Sequence, residues 1–237
     1  ISKNGNIILV LEDLTGTISV IINKNKQEFF LLCQDILLDE VIGVSGVNSD
    51  KIVFANEIIL PEVPINNELK KSDTEEYVVF TSDLHVGSKM FFENNFLNFI
   101  SWINGDYGNE EHRAIAKKVK YLFIGGDLVE GIGIYPGQEE DLVIKDIYEQ
   151  YTKLTEYISK IRTDLHIIVI GGNHDALRLS EPQPPINPKM APSLYELKNI
   201  TFVTNPSIVN IGSTDIFSGF DVLLYHGGSF PYLSENV

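Results

Sequence analysis

Four short apolar runs in the second two-thirds of the chain each stop abruptly at small or polar residues. Tyr77-Val-Val-Phe80 continues into Thr81-Ser82-Asp83-Leu84-His85, and Tyr121-Leu-Phe-Ile124 into Gly125-Gly126-Asp127. Ile167-Ile-Val-Ile170 continues into Gly171-Gly172-Asn173-His174-Asp175, and Val222-Leu-Leu-Tyr225 into His226. An apolar run of this length bounded by glycine reads as a buried strand of a parallel sheet. The polar residues then stand at carboxyl ends of strands, where open α/β sheets bind their ligands. Helical spacing separates the runs, with Phe92, Phe96, Phe99, Ile100 and Ile103 on one face of a helix over 91–103. A short helix follows to Lys118, and a long amphipathic one is expected over 141–161 with Glu139, Glu140 and Asp141 in its first turn. Two further strands, 200–203 and 207–211, precede the last run. Strands alternating with helices imply βαβ units and a largely parallel sheet.

The first sixty residues follow another pattern. Turn signals at Asn4-Gly5 and Thr15-Gly16 bracket the apolar runs Ile7–Leu11 and Ile18–Ile22. A helix is expected over 26–38, then strands over 41–47 and 52–60. Four strands with a helix before the last two are the layout of an OB-fold without its first strand. Residues 1–62 therefore read as a partial OB-fold, 63–76 as a linker and 77–237 as the α/β domain. The five prolines between Glu181 and Pro192 suggest an exposed loop.

Composition narrows the chemistry. At 237 residues, 43% hydrophobic and 22% charged, the chain has material for a real core. Its net charge of -15 makes it a poor nucleic-acid binder unaided, because affinity for phosphates comes from lysine and arginine. A DNA substrate would need bound cations or a basic partner. The single cysteine, Cys33, excludes an internal disulfide and suits a reducing, cytoplasmic setting. No apolar run reaches membrane-spanning length. Residues 1–62 hold nine carboxylates against four lysines, and their few aromatics (Phe29, Phe30, Phe54) lie in apolar patterns. Docking a partner suits this region better than stacking bases.

The strand ends carry a mixed oxygen and nitrogen donor set. Carboxylates, one amide and imidazoles suit Mn, Fe or Zn better than an all-oxygen Mg or Ca cage. Asp127 follows two glycines, so a tight turn can aim its carboxylate between two cations about 3.5–4 Å apart. Asp-x-His and Gly-Asp are weak signals alone, and Gly-Asn-His-Asp after an apolar strand is moderately specific. All of them in this order form a strong one.

That order resembles the calcineurin-like metallophosphoesterases, a family that includes Mre11-type recombination nucleases. The resemblance implies an α/β phosphoesterase domain, a calcineurin-like β-sandwich flanked by helices, preceded by the small, N-terminally truncated OB-fold. It implies that Asp83 and His85 bind one metal, that Asp127 bridges, and that Asn173 and His226 bind the second. His174 would be the general acid, with Asp175 orienting its ring and raising its pKa. The string from Gly126 to Leu142, Gly172-Asn-His-Asp-Ala-Leu-Arg178 and the hairpin from Asn4 to Thr17 resemble the small subunits of archaeal family D DNA polymerases. For these the resemblance implies a 3′→5′ proofreading exonuclease, partnered by a large catalytic subunit and acting on DNA 3′ ends. The related eukaryotic B-subunits are scaffolds without the metal ligands, which is the rival reading; a phosphatase is the third. Tyr135 could stack on a substrate base and Arg178 could contact a phosphate, against the simpler readings of a loop residue and a surface ion pair.

Two departures stand out. Glu130-Gly131-Ile132 replaces the Asp-Arg-Gly of the family's phosphatases. The closing Gly-His-x-His motif is absent, and neither His112 nor His166 is placed to substitute. The expectation is that the chain stops short of that motif and, by itself, binds metal poorly.

Overall fold

The computed structural model describes residues 1–13, 15–38, 40–63 and 69–235. Residues 64–68 of the expected linker, and residues 236–237 at the end of the expected α/β domain, lie outside the described residues. The chain divides into two compact units, Ile1–Leu69 and Lys70–Val237.

The first unit is a four-stranded mixed sheet in the order β1-β2-β4-β3 (Ile7–Asp13, Gly16–Ile22, Ile52–Ile59 and Gly43–Ser49, respectively). β1 and β2 are antiparallel, as are β3 and β4, whereas β2 and β4 run parallel. Alternation sends Ile7, Val20 and Ile22 into a core closed by Cys33 and Ala55. The helix expected over 26–38 is much shorter. Helix α1 spans Gln27–Leu32 and tightens into a 3-10 turn, Cys33–Asp35. It has no side-chain cap and buries none of its own residues; Cys33, just past its end, is the anchor. So little packing cannot sustain a longer helix.

The second unit holds a parallel sheet in the order β5-β6-β7-β8 (Tyr77–Thr81, Val119–Gly125, His166–Ile170, Ile200–Phe202). Helices α2 (Glu93–Ile103) and α3 (Glu110–Lys118) lead from β5 to β6, and α4 (Ile147–Ile158) from β6 to β7. Both faces of the central strands are buried, which explains their unbroken apolar runs. Leu122, Ile124, Ile167 and Val169 pack with Phe96, Ile100, Tyr151 and Leu154 from the helices. Phe123, Ile168 and Ile170 meet Ile211 and Leu224 on the opposite face.

Those last two residues belong to β9 (Ser207–Ile211) and β10 (Phe220–Leu224), an antiparallel pair forming its own sheet. Placing all four chemistry-bearing strand ends on one sheet is thus corrected. β10 turns Val222 and Leu224 toward the core and leaves Asp221 and Leu223 exposed, as a strand with one covered face must, and His226 reaches the site from this second layer. The unit is a sandwich of two sheets with helices on the outer face of the parallel one. Two short helices, α5 (Pro192–Tyr195) and α6 (Phe230–Glu235), complete it. Among the described residues no helix is long and apolar enough to cross a membrane.

Two more expectations are corrected. Helix α4 begins at Ile147, because the backbone before it pairs elsewhere: the Lys89 N–H donates to the Asp141 carbonyl and the Val143 N–H to Gly87. Glu139 and Glu140 lie in a separate 3-10 turn that Asp141 closes. The proline-rich stretch 181–192 is not simply exposed. Gln183, Ile186 and Ala191 are buried, and the Gln183 side-chain amide donates to the Gly172 and Arg178 carbonyls.

Candidate metal centre

The loops that follow β5 and β6 continue side by side past the sheet. The Asp83 N–H donates to the Gly126 carbonyl, His85 to Asp127 and Val86 to Leu128, each at 3.0–3.1 Å. This pairing holds Asp83 and His85 level with Asp127. All three adopt left-handed backbone, with φ of 55°, 52° and 49°. That region costs non-glycine residues about 1–2 kcal/mol each and is typical of functional sites.

Close approach fixes the neighbouring glycines. A Cβ on Gly172 would lie 2.2 Å from Asp127 Oδ1, and one on Gly126 would meet His226 Nδ1 at 2.7 Å. The β7 loop therefore presses directly on the Asp127 carboxylate, which is buried and accepts the His174 N–H at 2.8 Å. Burial alone would raise the Asp127 pKa, but hydrogen bonds from His226 and the His174 N–H hold it below the usual carboxylate value.

His226 is anchored by a buried polar chain. Its N–H donates to Asn205 Oδ1 at 2.9 Å, and Asn205 Nδ2 donates to Gln183 Oε1 at 2.7 Å. The ring Nδ1 lies 2.8 Å from the Gly125 carbonyl, which only accepts, so Nδ1 carries the proton. Nε2 then faces Asn173 Oδ1 at 3.0 Å and Asp127 Oδ1 at 3.4 Å, donating to them in the imidazolium and offering a lone pair in the neutral ring. Three acceptor atoms converge there. Without a cation, one proton must serve them, and contact with Asp127 pushes the His226 pKa up to about 9 against the opposing effect of burial.

His85 approaches from the other side. Its Nε2 is 3.6 Å from Asp127 Oδ2 and 3.8 Å from Asp83 Oδ1. Asp83, Asp127 and His226 each bring a donor atom within 4.8 Å of one another, as do His85, Glu130 and His174. This mixed set fits divalent transition cations.

The catalytic pair expected from the sequence is altered. His174 packs edge-on against His85, with ring centres 4.6 Å apart, and its Nδ1 lies 2.8 Å from the Glu130 carbonyl. Asp175 does not orient that ring. It is buried beneath the loops and accepts the Gly172 and Leu128 N–H groups and the Tyr151 hydroxyl. Burial pushes its pKa up to about 6 despite those backbone hydrogen bonds. Asp175 is a strut between the β6 and β7 loops, and the turn after Asn173 points consecutive side chains apart.

Glu130 is the site residue that motif reading missed. It is buried, and its carboxylate lies 3.0 Å from His85 Nδ1. Its signal was the departure from Asp-Arg-Gly at that position, which kept a carboxylate before glycine. Clefts open on either side. One of about 680 Å³ is lined by Asp83, His85, Met90, Phe92, Tyr135 and Asp141. The other, about 810 Å³, is lined by Ile132, Ile134, Ile147, His174, Pro184 and Met190. Tyr135 lies in the first, its hydroxyl donating to Asp141 at 3.0 Å; burial and that carboxylate push its pKa up to about 12. The Arg178 guanidinium lines the second and is engaged by the Pro182 carbonyl. His112 sits on α3 and His166 opens β7 stacked on Tyr121, both apart from these residues.

The family model for calcineurin-like phosphoesterases matches residues 77–236. The chain is 44% identical over 236 residues to the DNA polymerase II small subunit of Methanothermobacter thermautotrophicus, covering 100% of this chain and 47% of the relative. It is 45% identical over 238 residues to that of Methanocaldococcus jannaschii, covering 100% and 39%. For the Archaeoglobus fulgidus subunit the identity is 44% over 228 residues, covering 96% and 44%. The chain thus spans less than half the length of these relatives.

Proposed function

The chain belongs to the calcineurin-like phosphoesterase family, and from that membership we propose that it is the nuclease part of a replicative DNA polymerase's small subunit. It removes mismatched 3′ nucleotides by hydrolysing DNA phosphodiesters, next to a large polymerising subunit. Its homology to DNA polymerase II small subunits supports the setting. The observation that carries the chemistry is the convergence of Asp83, His85, Asn173 and His226 around the buried Asp127 carboxylate.

Asp83 and His85 would hold one divalent cation and Asn173 and His226 the other, with Asp127 between them. Manganese is the foremost candidate, and iron or zinc suit the same donors. When bound, such a pair supplies charge that activates water and stabilises both attacking and leaving oxygens. The chain's own residues do the rest. His174 donates its Nδ1 proton to the Glu130 carbonyl, leaving Nε2 to carry a proton to the departing 3′ oxygen. Asp175 keeps the two loops at their spacing. Tyr135 and the exposed Phe92 offer the unpaired base an aromatic wall, and Arg178 is the nearest candidate for a phosphate contact in the other cleft. The strand order β1-β2-β4-β3 supports reading the first unit as an OB-fold lacking its first strand, a module suited to docking the large subunit.

The test is manganese-dependent digestion of a 3′-labelled single strand by the full-length protein. Asp127→Ala should abolish it, and His174→Ala should slow it by roughly 10²–10⁴-fold. Unchanged digestion by either variant sinks the assignment. A full-length protein that binds no manganese and digests nothing, with or without its partner, is a scaffold.

A further inference from the structure

Glu130 meets two histidines through two different groups. Its carboxylate faces His85, with Oε2 3.0 Å from Nδ1. Its main-chain carbonyl holds His174 Nδ1 at 2.8 Å, whereas the carboxylate stays 3.9 Å from that nitrogen. The remaining contacts of the side chain are neutral. Gln138 Nε2 lies 3.3 Å from Oε1, and the Tyr135 hydroxyl lies 3.4 Å from it. Gln138 also donates to the Glu130 carbonyl at 3.0 Å, and the Glu130 N–H donates to the Val86 carbonyl, so the residue is fixed in place.

We infer that the Glu130 carboxylate is a positioning residue for His85, not for His174, and so governs how tightly the centre holds its cation. The inference rests on the metal-dependent reading proposed above. Among the described residues no lysine or arginine pairs with this buried carboxylate. A buried charge needs a charged or strongly polar partner, and the His85 Nδ1–H is the one at hand. With Nδ1 protonated, Nε2 presents its lone pair to the Asp83 and Asp127 carboxylates. A carboxylate behind a ligating imidazole fixes its tautomer and raises its basicity. Nδ1 sits off the hydrogen-bonding direction here, buried and otherwise unpartnered. Such contacts commonly align only once the site is loaded.

Glu130→Gln and Glu130→Asp in the full-length protein test this, with Mn²⁺ as the probe. By titration calorimetry, Glu130→Gln should bind Mn²⁺ about 10–100-fold more weakly than the parent. Glu130→Asp, which keeps the charge, should bind more tightly than Glu130→Gln. The acid limb of the pH–rate profile should not move in Glu130→Gln, because a main-chain carbonyl orients His174. Parental Mn²⁺ affinity in Glu130→Gln, no advantage of aspartate over glutamine, or a displaced acid limb each overturn the inference. If Glu130→Gln does not fold, Glu130→Asp alone decides: it should bind Mn²⁺ within tenfold of the parent, and a larger loss overturns the inference. A parent that binds Mn²⁺ but digests no DNA overturns the nuclease reading and leaves calorimetry to judge Glu130; a parent that binds none overturns both.

Discussion

Asp175 shows how far a residue's role can depart from its place in a motif. It follows the proposed acid directly, yet its carboxylate turns inward to the Gly172 and Leu128 N–H groups and the Tyr151 hydroxyl. Asparagine there would turn one acceptor into a donor facing donors. Asp175→Asn is therefore expected to cost about 1–3 kcal/mol of stability, read from the midpoint of denaturant unfolding of the metal-free protein. A variant that unfolds like the parent while moving the acid limb would restore the orienting role. The sequence brought out Asp83, Asp127, Asn173, His174 and His226 because each comes straight after an apolar run or within a few residues of one. It could not reveal who faces whom. That depends on the left-handed turns at Asp83, His85 and Asp127 and on Gly131, also at positive φ, which follows Glu130 in the loop that carries it back to His85.

At the scale of elements, the apolar runs defined the parallel strands closely, since burial on both faces leaves little freedom in where such strands lie. Helix starts were less legible. The stretch from Asp141 to Asp146 has residues that a helix accepts, but its backbone is drawn to Gly87 and Lys89, and α4 starts only where the Asp146 side chain accepts the Tyr148 and Glu149 N–H groups at 2.9 and 3.0 Å. Asp146→Ala should lower stability by about 1 kcal/mol, again by denaturant titration. A loss near zero would mean that packing of Tyr151 and Leu154 alone sets this boundary. The separate sheet of β9 and β10 was not legible either. Its alternating pattern is that of any half-buried strand, and pairing partners are set by which faces remain uncovered.

For the whole molecule, the dominant fact is a net charge of -15. A polyanion approaching this surface meets repulsion that only cations or a basic partner can offset. On the nuclease reading proposed above, binding of a fluorescent single strand by the full-length protein should therefore be weak in chelator and strengthen when Mn²⁺ is added. Fluorescence anisotropy can follow both. Equal binding under the two conditions would show that lysine and arginine, not the metal centre, capture DNA.

The left-handed backbone at Asp83, His85 and Asp127 has a consequence for descent. Glycine or asparagine would fit all three positions at less conformational expense. A lineage freed from cleaving DNA would gain stability by exchanging these side chains, one substitution at a time and with no change of fold. If the chain cleaves DNA as proposed above, function must hold these three residues against that gain in stability, and a descendant reduced to a scaffold is expected to lose them first.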